Sequence, residues 1–425
     1  MKKPGNRILM IVENQYPHDI RVRKEADALT EAGYSVVVIA LRGRGQKEYE
    51  EINDVKIYRI PKVDIFDKTK RSDANFIITL YAKVKSIAGY VLEYAYFTVA
   101  SFSVSFYIFA KHGFDAIHTH NPPDTLSMIG IFYKILGKKY VFDHHDLSPE
   151  LYLTRVSGKP DLIYWGLIFF ERLSCRCSDI IISTNESYRQ IEMTRYAVNP
   201  EKIFIVRNNP RVSDCVLSDG KNAPAKSSNK KIELLFLGSI NPQDGVDVLL
   251  RAIHYLAYDL KETNFICNIV GGGDSLEVTK QLSVDLGLTD YVDFKGQLFD
   301  REKVKESLWS SDIGVEPAPR NEANEHSTFI KVMEFMAAGR PVVAFDLKET
   351  RYSADRAALL IQPGDIEGFA SALKELINDR SKRLEMGSAG IRRIEEKLSW
   401  ERASQYLVKA YSSLALQISN SKTSI

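Results

Sequence analysis

The sequence predicts an α/β protein with two Rossmann-like domains facing a cleft, each built on a doubly wound parallel sheet. Short continuous apolar runs alternate with helical patterns, and strands buried on both faces are typical of parallel sheets. The polar stretch SDGKNAPAKSSNKK at 218–231 interrupts this pattern, which then restarts. A chain of 425 residues also exceeds the length that one hydrophobic core normally serves. The predicted domains are residues 1–217 and 232–399, joined by a linker at 218–231.

The first domain opens with the apolar run RILMIVE, a predicted strand at 7–13. The helix after it is predicted at 19–34, because Asp19 is a favourable N-cap and Gly33 a favourable stop. The next predicted strands are 35–41, 116–120, 139–145, 179–185 and 202–209.

The second domain repeats this order of elements. Its predicted strands are 232–239, 264–273, 292–296, 312–317 and 341–346. A helix is predicted at 247–257, and the charged sequence from Asp365 onwards is predicted to be helical.

An uncharged stretch at 95–110, AYFTVASFSVSFYIFA, lies in a long helical pattern. Sixteen residues are short for a membrane span, which needs about 20. We predict a buried or interfacial helix, with a membrane-surface helix and a true span as alternatives. Aromatic residues across 76–110 and 162–173 favour peripheral contact with a membrane. The N-terminus has a five-residue apolar run, which suits a first strand better than a secretory signal.

Composition excludes some classes of function. The chain is 44% hydrophobic and 26% charged, with a net charge of +2, which gives no argument for nucleic-acid binding. The four cysteines form no metal or disulfide framework, and reduced thiols in the cytoplasm are expected. They are Cys175, Cys177, Cys215 and Cys267.

Charged residues follow the first predicted strand, at the edge of the sheet where ligands bind. His18, Arg21 and Arg23 flank the predicted cap Asp19. They are either solvated charges or a site for a phosphate-bearing ligand at the helix N-terminus.

Histidines and aspartates follow two further strands, in HTHNPPD and HHDLSPE. They are His118, His120, Asp143, His144, His145 and Asp146. Their spacing matches no compact zinc motif, so no metal is predicted. Two other interpretations of these residues remain: contact with a sugar or other polar substrate, and structural hydrogen bonding.

Glycines mark two strand ends of the second domain, where a nucleotide can approach the backbone closely. The glycines are Gly238, Gly245, Gly271, Gly272 and Gly273.

The stretch HSTFIKVMEFMAAGRPVVAFD at 326–346 is predicted to form a helix, a glycine that ends it and a buried strand. Ser327 or Thr328 is predicted to cap the helix. Glu334 is predicted to be buried among apolar side chains, where a carboxylate needs a partner. The vicinal hydroxyls of a ribose are one such partner, and an ion pair with Lys331 is the alternative.

Over residues 7–400 the sequence resembles the retaining glycosyltransferase family 4, which has the GT-B fold, and within it a bacterial subgroup that builds surface polysaccharides. The motifs that carry the resemblance are YPHDIRVRKEADALTEAGYSV, DAIHTHNPPDTL, VFDHHDLSPELY, LGSINPQDGVDVLLRAI, IVGGGDSL, VDFKGQL, SDIGVEP and KVMEFMAAGRPVVAFD.

The resemblance implies a nucleoside-diphosphate sugar bound by the second domain and a lipid-linked or glycan acceptor bound mainly by the first. The implied donor-binding residues are Gly238, Ser239, Gly245, Gly271, Gly272, Gly273, His326, Ser327, Thr328, Lys331 and Glu334. The implied catalytic residues are His120, His145 and Asp146. A helix at about 400–425 would return to the first domain. No metal or other cofactor is expected, and the expected location is the cytoplasm, at the inner face of the membrane.

Three departures from the family bear on mechanism. His326 stands where the first glutamate of a paired motif is expected, and Ser239 and Asp244 stand where diphosphate-binding cations are expected. NQYPHD replaces a glycine pair after the first strand. Backbone amides after Ser327 must then contribute more, together with a cation from elsewhere. The candidates are Lys331, Arg320 and Arg21.

These losses keep two alternatives open. One is a catalytically silent binding subunit, and the other is a nucleotide-sugar epimerase. Turnover of donor with acceptor separates both from a transferase.

Overall fold

A computed structural model describes residues 6–63, 76–156, 159–215, 231–298 and 300–422. The chain divides into two compact units. The first comprises Met1–Pro149, Lys159–Val206 and Ser404–Ile425, and the second comprises Glu150–Gly158 and Arg207–Ala403. The predicted linker lies outside the described residues, apart from Lys231.

An eight-stranded sheet forms the centre of the first unit. Its strands are β1 (Arg7–Gln15), β2 (Ser35–Arg42), β3 (Tyr49–Ile52), β4 (Val55–Pro61), β5 (Ala116–His120), β6 (Lys139–His144), β7 (Ile180–Ser183) and β8 (Ile203–Ile205). They lie in the order β3-β4-β2-β1-β5-β6-β7-β8, and neighbours are parallel except β3 and β4. The predicted parallel sheet is confirmed, since its central strands are apolar runs buried on both faces.

The helices between residues 20 and 196 are α1 (Ile20–Glu31), α2 (Phe76–Lys111), α3 (Ser127–Ile135), α4 (Ser148–Val156), α5 (Leu162–Cys177) and α6 (Glu186–Tyr196). Asp19 caps α1 as predicted, because its Oδ1 accepts the N–H groups of Arg21 and Val22 at 3.1 and 3.3 Å. Gly33 lies just past the end of this helix with a φ of +92°. A left-handed residue at this point commonly terminates a helix.

The edge hairpin β3–β4 was missed in the sequence. Its two-residue turn, Asn53-Asp54, has φ angles of +50° and +63°, as a hairpin turn of the primed type requires. The two strands alternate between more and less exposed positions, so they carry no continuous apolar run. The Asn-Asp pair was the signal available in the sequence.

A six-stranded parallel sheet forms the centre of the second unit. Its strands are β9 (Ile232–Leu237), β10 (Phe265–Val270), β11 (Val292–Gly296), β12 (Ile313–Glu316), β13 (Val342–Phe345) and β14 (Ala358–Ile361). Their order is β11-β10-β9-β12-β13-β14. Strand β14 was not predicted, and as an edge strand its four residues are only half-buried.

The remaining helices are α7 (Val212–Cys215), α8 (Val246–His254), α9 (Leu276–Asp285), α10 (Arg301–Ser310), α11 (Glu322–His326), α12 (Ile330–Ala337), α13 (Lys348–Ala354), α14 (Ile366–Asn378), α15 (Arg380–Glu396) and α16 (Trp400–Lys422). Helix α16 starts in the second unit and from Ser404 is part of the first. There the hydroxyl of Tyr411 lies 2.9 Å from Nδ1 of His118.

A buried ionic cluster ties β6 to two helices of the first unit. Nε2 of His144 lies 2.8 Å from Glu171 on α5, and Nδ1 lies 2.8 Å from Glu192 on α6. Burial lowers the pKa of His144, but the two carboxylates together raise this pKa well above its usual range. His144 is therefore an imidazolium held between two carboxylates, with a structural role.

The apolar stretch at 95–110 lies within α2. The part Val91–Lys111 is long and apolar enough to cross a membrane, although 28% of its most apolar 18-residue stretch is buried in the protein. Val99 is 67% exposed and Tyr107 is 53% exposed. Of the four cysteines, Cys175, Cys177 and Cys267 are free thiols, and the side chain of Cys215 lies outside the described part of the chain.

Candidate active site

The predicted glycine turns lie side by side at the ends of β9 and β10. A Cβ on Gly271 would lie 1.8 Å from the carbonyl oxygen of Gly238, so only glycine fits this approach. The N–H of Gly238 donates to Val270 and that of Gly271 donates to Gly296, so both amides serve the sheet. These two glycines let the two turns pack closely together, and hydrogen-bond donors for a ligand must come from other groups. Ser239, next in the chain, is exposed.

Asp244 has a structural role that explains its departure from the family. Its Oδ2 accepts the N–H of Asn241 at 3.0 Å and so caps the turn before α8. Gly245 follows with a φ of +72°, and a Cβ there would lie 2.2 Å from the carbonyl oxygen of Pro317. Burial raises the pKa of Asp244, while Lys331 lowers it.

Lys331 lies beside the first glycine turn. Its Nζ would be 3.3 Å from a Cβ on Gly238 and is 4.4 Å from the ring centroid of Phe236. Its side chain is 11% exposed, and Nζ lies 3.0 Å from Oε2 of the buried Glu316 at the end of β12. Burial raises the pKa of Glu316, and the ammonium group of Lys331 lowers it. A cation thus stands at the strand ends of the second sheet.

Arg320, another of the cations considered from the sequence, is engaged elsewhere. Its Nε lies 3.0 Å from Glu325, its Nη2 donates to the carbonyl of Asp346 at 3.1 Å, and its side chain is 52% exposed. Lys331, which lies beside Gly238, is the better-placed of the two cations.

The prediction that Ser327 or Thr328 caps the helix was wrong. Asn321 caps a separate short helix, α11, by accepting the N–H of Asn324, and this helix ends at the partly buried His326. The hydroxyl of Ser327 donates back to the carbonyl of Ala323 at 2.7 Å. Helix α12 begins only at Ile330, after Phe329 as its N-cap.

Glu334 was predicted to be buried, and this was wrong. The side chains of Val332, Met333 and Phe335 fill the core, whereas Glu334 is half-buried on a different face of α12. A half-buried carboxylate avoids most of the desolvation cost and stays accessible to a ligand.

Arg207 was missed in the sequence. It is 8% exposed, its Nη1 lies 3.0 Å from Glu349 and 3.5 Å from the hydroxyl of Thr328, and its guanidinium stacks over Tyr352 at 4.1 Å. Its position inside the predicted strand 202–209, directly after the apolar run IFIV, was the available signal.

In the first unit, three predicted residues gather around the carboxylate of Asp143. Nδ1 of His120 and Nε2 of His145 each lie 2.7 Å from its Oδ2. His118 and His120 are two residues apart on β5, so their rings lie on the same face of the sheet. The ring centroids are 4.2 Å apart. Glu25 of α1 completes the cluster, 4.0 Å from Nε2 of His118.

Burial and hydrogen bonding shift the pKa values of this cluster in different directions. Burial raises the pKa of Asp143, but His145 and His120 hold it well below its usual range. Burial and the neighbouring Asp143 raise the pKa of Glu25 well above its usual range. Burial lowers the pKa values of both His118 and His145. The negative charge of the cluster is thus favoured on Asp143 over Glu25.

The predicted phosphate-binding residues divide into one that joins this cluster and two that lie further out. Arg21 interacts electrostatically with Asp143, Asp146 and Glu25, and its Nη2 lies 3.7 Å from Asp19. His18 is exposed and Arg23 is half-buried. The backbone of the half-buried Asp146 is held by the side chain of Asn121.

The two parallel-sheet α/β units have the GT-B fold, and two family models match them. Residues 20–208 match the model described as Glycosyltransferase Family 4, and residues 231–379 match Glycosyl transferases group 1. The chain therefore carries a glycosyltransferase family 4 domain at 20–208 and a glycosyl transferases group 1 domain at 231–379.

The chain is similar in sequence to a curated glycosyltransferase and in fold to two solved structures. The D-inositol 3-phosphate glycosyltransferase of Geodermatophilus obscurus is 26% identical over 58% of this chain, which spans 54% of that relative's length. The sucrose-phosphate synthase of Thermosynechococcus elongatus has a TM-score of 0.71 and 17% identity, over 97% of this chain and 100% of that one. Anabaena HepE, in complex with UDP and glucose, has a TM-score of 0.68 and 14% identity, over 96% and 99%.

Proposed function

We propose that this protein is a retaining glycosyltransferase that moves a sugar from a nucleoside-diphosphate sugar to a lipid-linked or glycan acceptor, in the synthesis of a cell-surface polysaccharide. Helix α12 carries the proposal. It presents Lys331 beside Gly238, and Glu334 lies three residues further on the same helix face. A cation for phosphate and an accessible carboxylate for ribose hydroxyls are thus spaced by one helical turn. That HepE binds UDP and glucose supports a nucleotide-sugar donor.

The chemistry requires positive charge at the diphosphate. Transfer breaks the bond between the anomeric carbon of the sugar and the diphosphate oxygen, and negative charge grows on that oxygen. Preorganised charged donors are worth most at this point. Lys331 supplies one, and Arg207 beside Thr328 supplies a second positive charge to the same unit. With these protein cations, the transfer step itself needs no metal ion.

The first unit supplies the acceptor and sugar contacts in this proposal. Nε2 of His120 and Nδ1 of His145 are buried and have no hydrogen-bond partner within the described part of the protein. A sugar hydroxyl would satisfy either atom. Asp146 joins them as a polar contact, and Arg21 is a cation for a phosphate on the acceptor, with His18 and Arg23 at its edge.

Nucleotide binding tests this assignment. A nucleoside diphosphate at a hundred times its Kd should raise the unfolding temperature by roughly 5–10 °C. Glu334→Gln removes the charge that the ribose hydroxyls bind, which costs about 1.5–3 kcal/mol or roughly a 10–100-fold higher Kd. Thermal shift titrations with a panel of nucleotides measure both effects and identify the base.

Glu277→Gln, on the exposed face of α9, is the matched control and should leave the Kd unchanged. Equal Kd values for wild type and Glu334→Gln would contradict the role of α12. Donor turnover with acceptor, and no isomerised donor without it, would support a transferase.

We also propose that the first unit contacts the cytoplasmic face of a membrane. Leu162, Trp165 and Phe169 on α5 are 87%, 59% and 57% exposed. Fully burying each such side chain is worth about 1.5–3 kcal/mol. Replacing all three by Ser should therefore lower binding to liposomes at least about tenfold in a flotation assay.

The control for this experiment is replacement of Val278 and Val284 on α9 by Ser, since these side chains in the second unit are 66% and 63% exposed. It should leave flotation unchanged. Absence of flotation by the wild type would remove the membrane proposal.

A further inference from the structure

The cluster around Asp143 has the composition of a metal site. Glu25 on α1, His118 and His120 on β5 and Asp143 on β6 each place one ligand atom within 4.8 Å of the others. All four side chains are buried, with 3%, 0%, 1% and 0% of their surface exposed. Two imidazoles with two carboxylates are donors that zinc accepts readily.

The distances are close to those that an ion requires. Nε2 of His118 lies 3.7 Å from Oδ2 of Asp143 and 4.0 Å from Oε2 of Glu25, and Nδ1 of His120 lies 2.7 Å from the same aspartate oxygen. Ligand atoms around a tetrahedral zinc ion with bonds of about 2.1 Å lie about 3.4 Å apart. These three separations differ from that value by about 0.7 Å or less, and the other pairs of ligand atoms lie within 4.8 Å of each other.

Two of these four donor atoms lack a hydrogen-bond partner in the part of the protein that is described. Nε2 of His118 and Oε2 of Glu25 are buried and make no hydrogen bond there. Buried polar atoms in native structures almost always have a partner. An ion bound by both would provide it.

Other residues orient the ligands. The hydroxyl of Tyr411 lies 2.9 Å from Nδ1 of His118 and so turns Nε2 towards the cluster. Nε2 of His145 lies 2.7 Å from Oδ2 of Asp143 and fixes that carboxylate. Metal-binding histidines and carboxylates typically have such supporting hydrogen bonds.

We propose that Glu25, His118, His120 and Asp143 bind a divalent transition metal ion, zinc by donor preference, as a structural site of the first unit. Four protein ligands leave no open position for substrate, and two carboxylates balance the charge of the ion. The ion links α1, β5 and β6. The ion takes Nδ1 of His120, so Nε2 of the same ring remains for the sugar contact proposed above. Ligand positions 25, 118, 120 and 143 are too far apart in the chain to form a compact zinc motif. The absence of such a motif is therefore no evidence against this site.

Metal content of the full-length protein tests the site. We expect about one zinc per chain after purification without chelator, and a lower unfolding temperature after treatment with a chelator that zinc restores. Cobalt in place of zinc should give the intense visible absorption of a tetrahedral site. Tyr411→Phe, which removes only the supporting hydroxyl, should weaken zinc binding by about 10–100-fold. His254→Gln, in the second unit, is the control and should leave zinc binding unchanged.

Glu25→Gln should abolish the tetrahedral cobalt spectrum, with an unchanged unfolding temperature of the first unit in calorimetry of metal-free protein as the check that this unit is folded. If this variant does not fold, the wild-type zinc content and cobalt spectrum decide. Wild-type protein that binds neither zinc nor cobalt stoichiometrically would overturn the proposal and leave a proton shared between Glu25 and Asp143 in its place. Equal zinc affinity of wild type and Tyr411→Phe would also count against it.

Discussion

We expect Lys331→Met to lower kcat/KM for sugar transfer by about 10²–10³-fold, which corresponds to the loss of roughly 3–4 kcal/mol of transition-state stabilisation. The positions where the family carries cations hold Ser239, which is exposed, and Asp244, which caps a turn. Lys331 is therefore the cation next to Gly238 that can meet the leaving diphosphate. Steady-state kinetics with the donor identified by nucleotide binding measure the effect. Because the charge on the diphosphate grows during the reaction, kcat should fall more than KM rises.

Arg320→Met is the matched control, since this arginine is half-exposed and engaged with Glu325 and a backbone carbonyl. It should change kcat/KM by no more than about threefold, as expected for a surface charge outside the site. Lys331→Met leaves the buried Glu316 without its ion-pair partner, so a second variant that adds Glu316→Gln separates lost stability from lost catalysis. If both Lys331 variants kept full activity, the positive charge would come from elsewhere, with Arg207 as the next candidate to replace.

The parallel core of each unit was predictable because its strands are buried on both faces and therefore appear as continuous apolar runs. The run SVVVIAL, for example, is β2 with one further residue. Edge strands lack this signal. The hairpin β3–β4 alternates in exposure, and β14 is half-buried along its length. Both were missed for this reason.

Chain-local features of the site were predictable, and contacts between elements were not. Asp19 as a cap and Gly271 at a strand end follow from the chemistry of a few neighbouring residues. The partner of Lys331 is Glu316, 15 positions away on a strand, and no periodicity links them. The cap was wrongly assigned to Ser327 because serine commonly caps helices. In the structure Asn321 caps an earlier short helix, and Ser327 follows the end of that helix.

The largest loss of stability is expected at His144. His144→Gln leaves Glu171 and Glu192 buried without the imidazolium that lies 2.8 Å from each. Breaking a buried ionic cluster in this way costs about 3–5 kcal/mol. In a unit of this size that corresponds to a fall of roughly 6–20 °C in its unfolding temperature. Calorimetry of the full chain measures it, with nucleotide binding to the second unit as an internal reference.

A triple variant decides whether charge or packing is responsible. His144→Leu with Glu171→Gln and Glu192→Gln removes these three charges while keeping similar volumes, and such replacements are often neutral or stabilising. The hydroxyl of Tyr196, 2.7 Å from Glu171, keeps an acceptor in Gln. We therefore expect the triple variant to recover most of the loss. Equal unfolding temperatures for the single and triple variants would instead show that the shape of the imidazole ring, rather than its charge, holds β6 between α5 and α6.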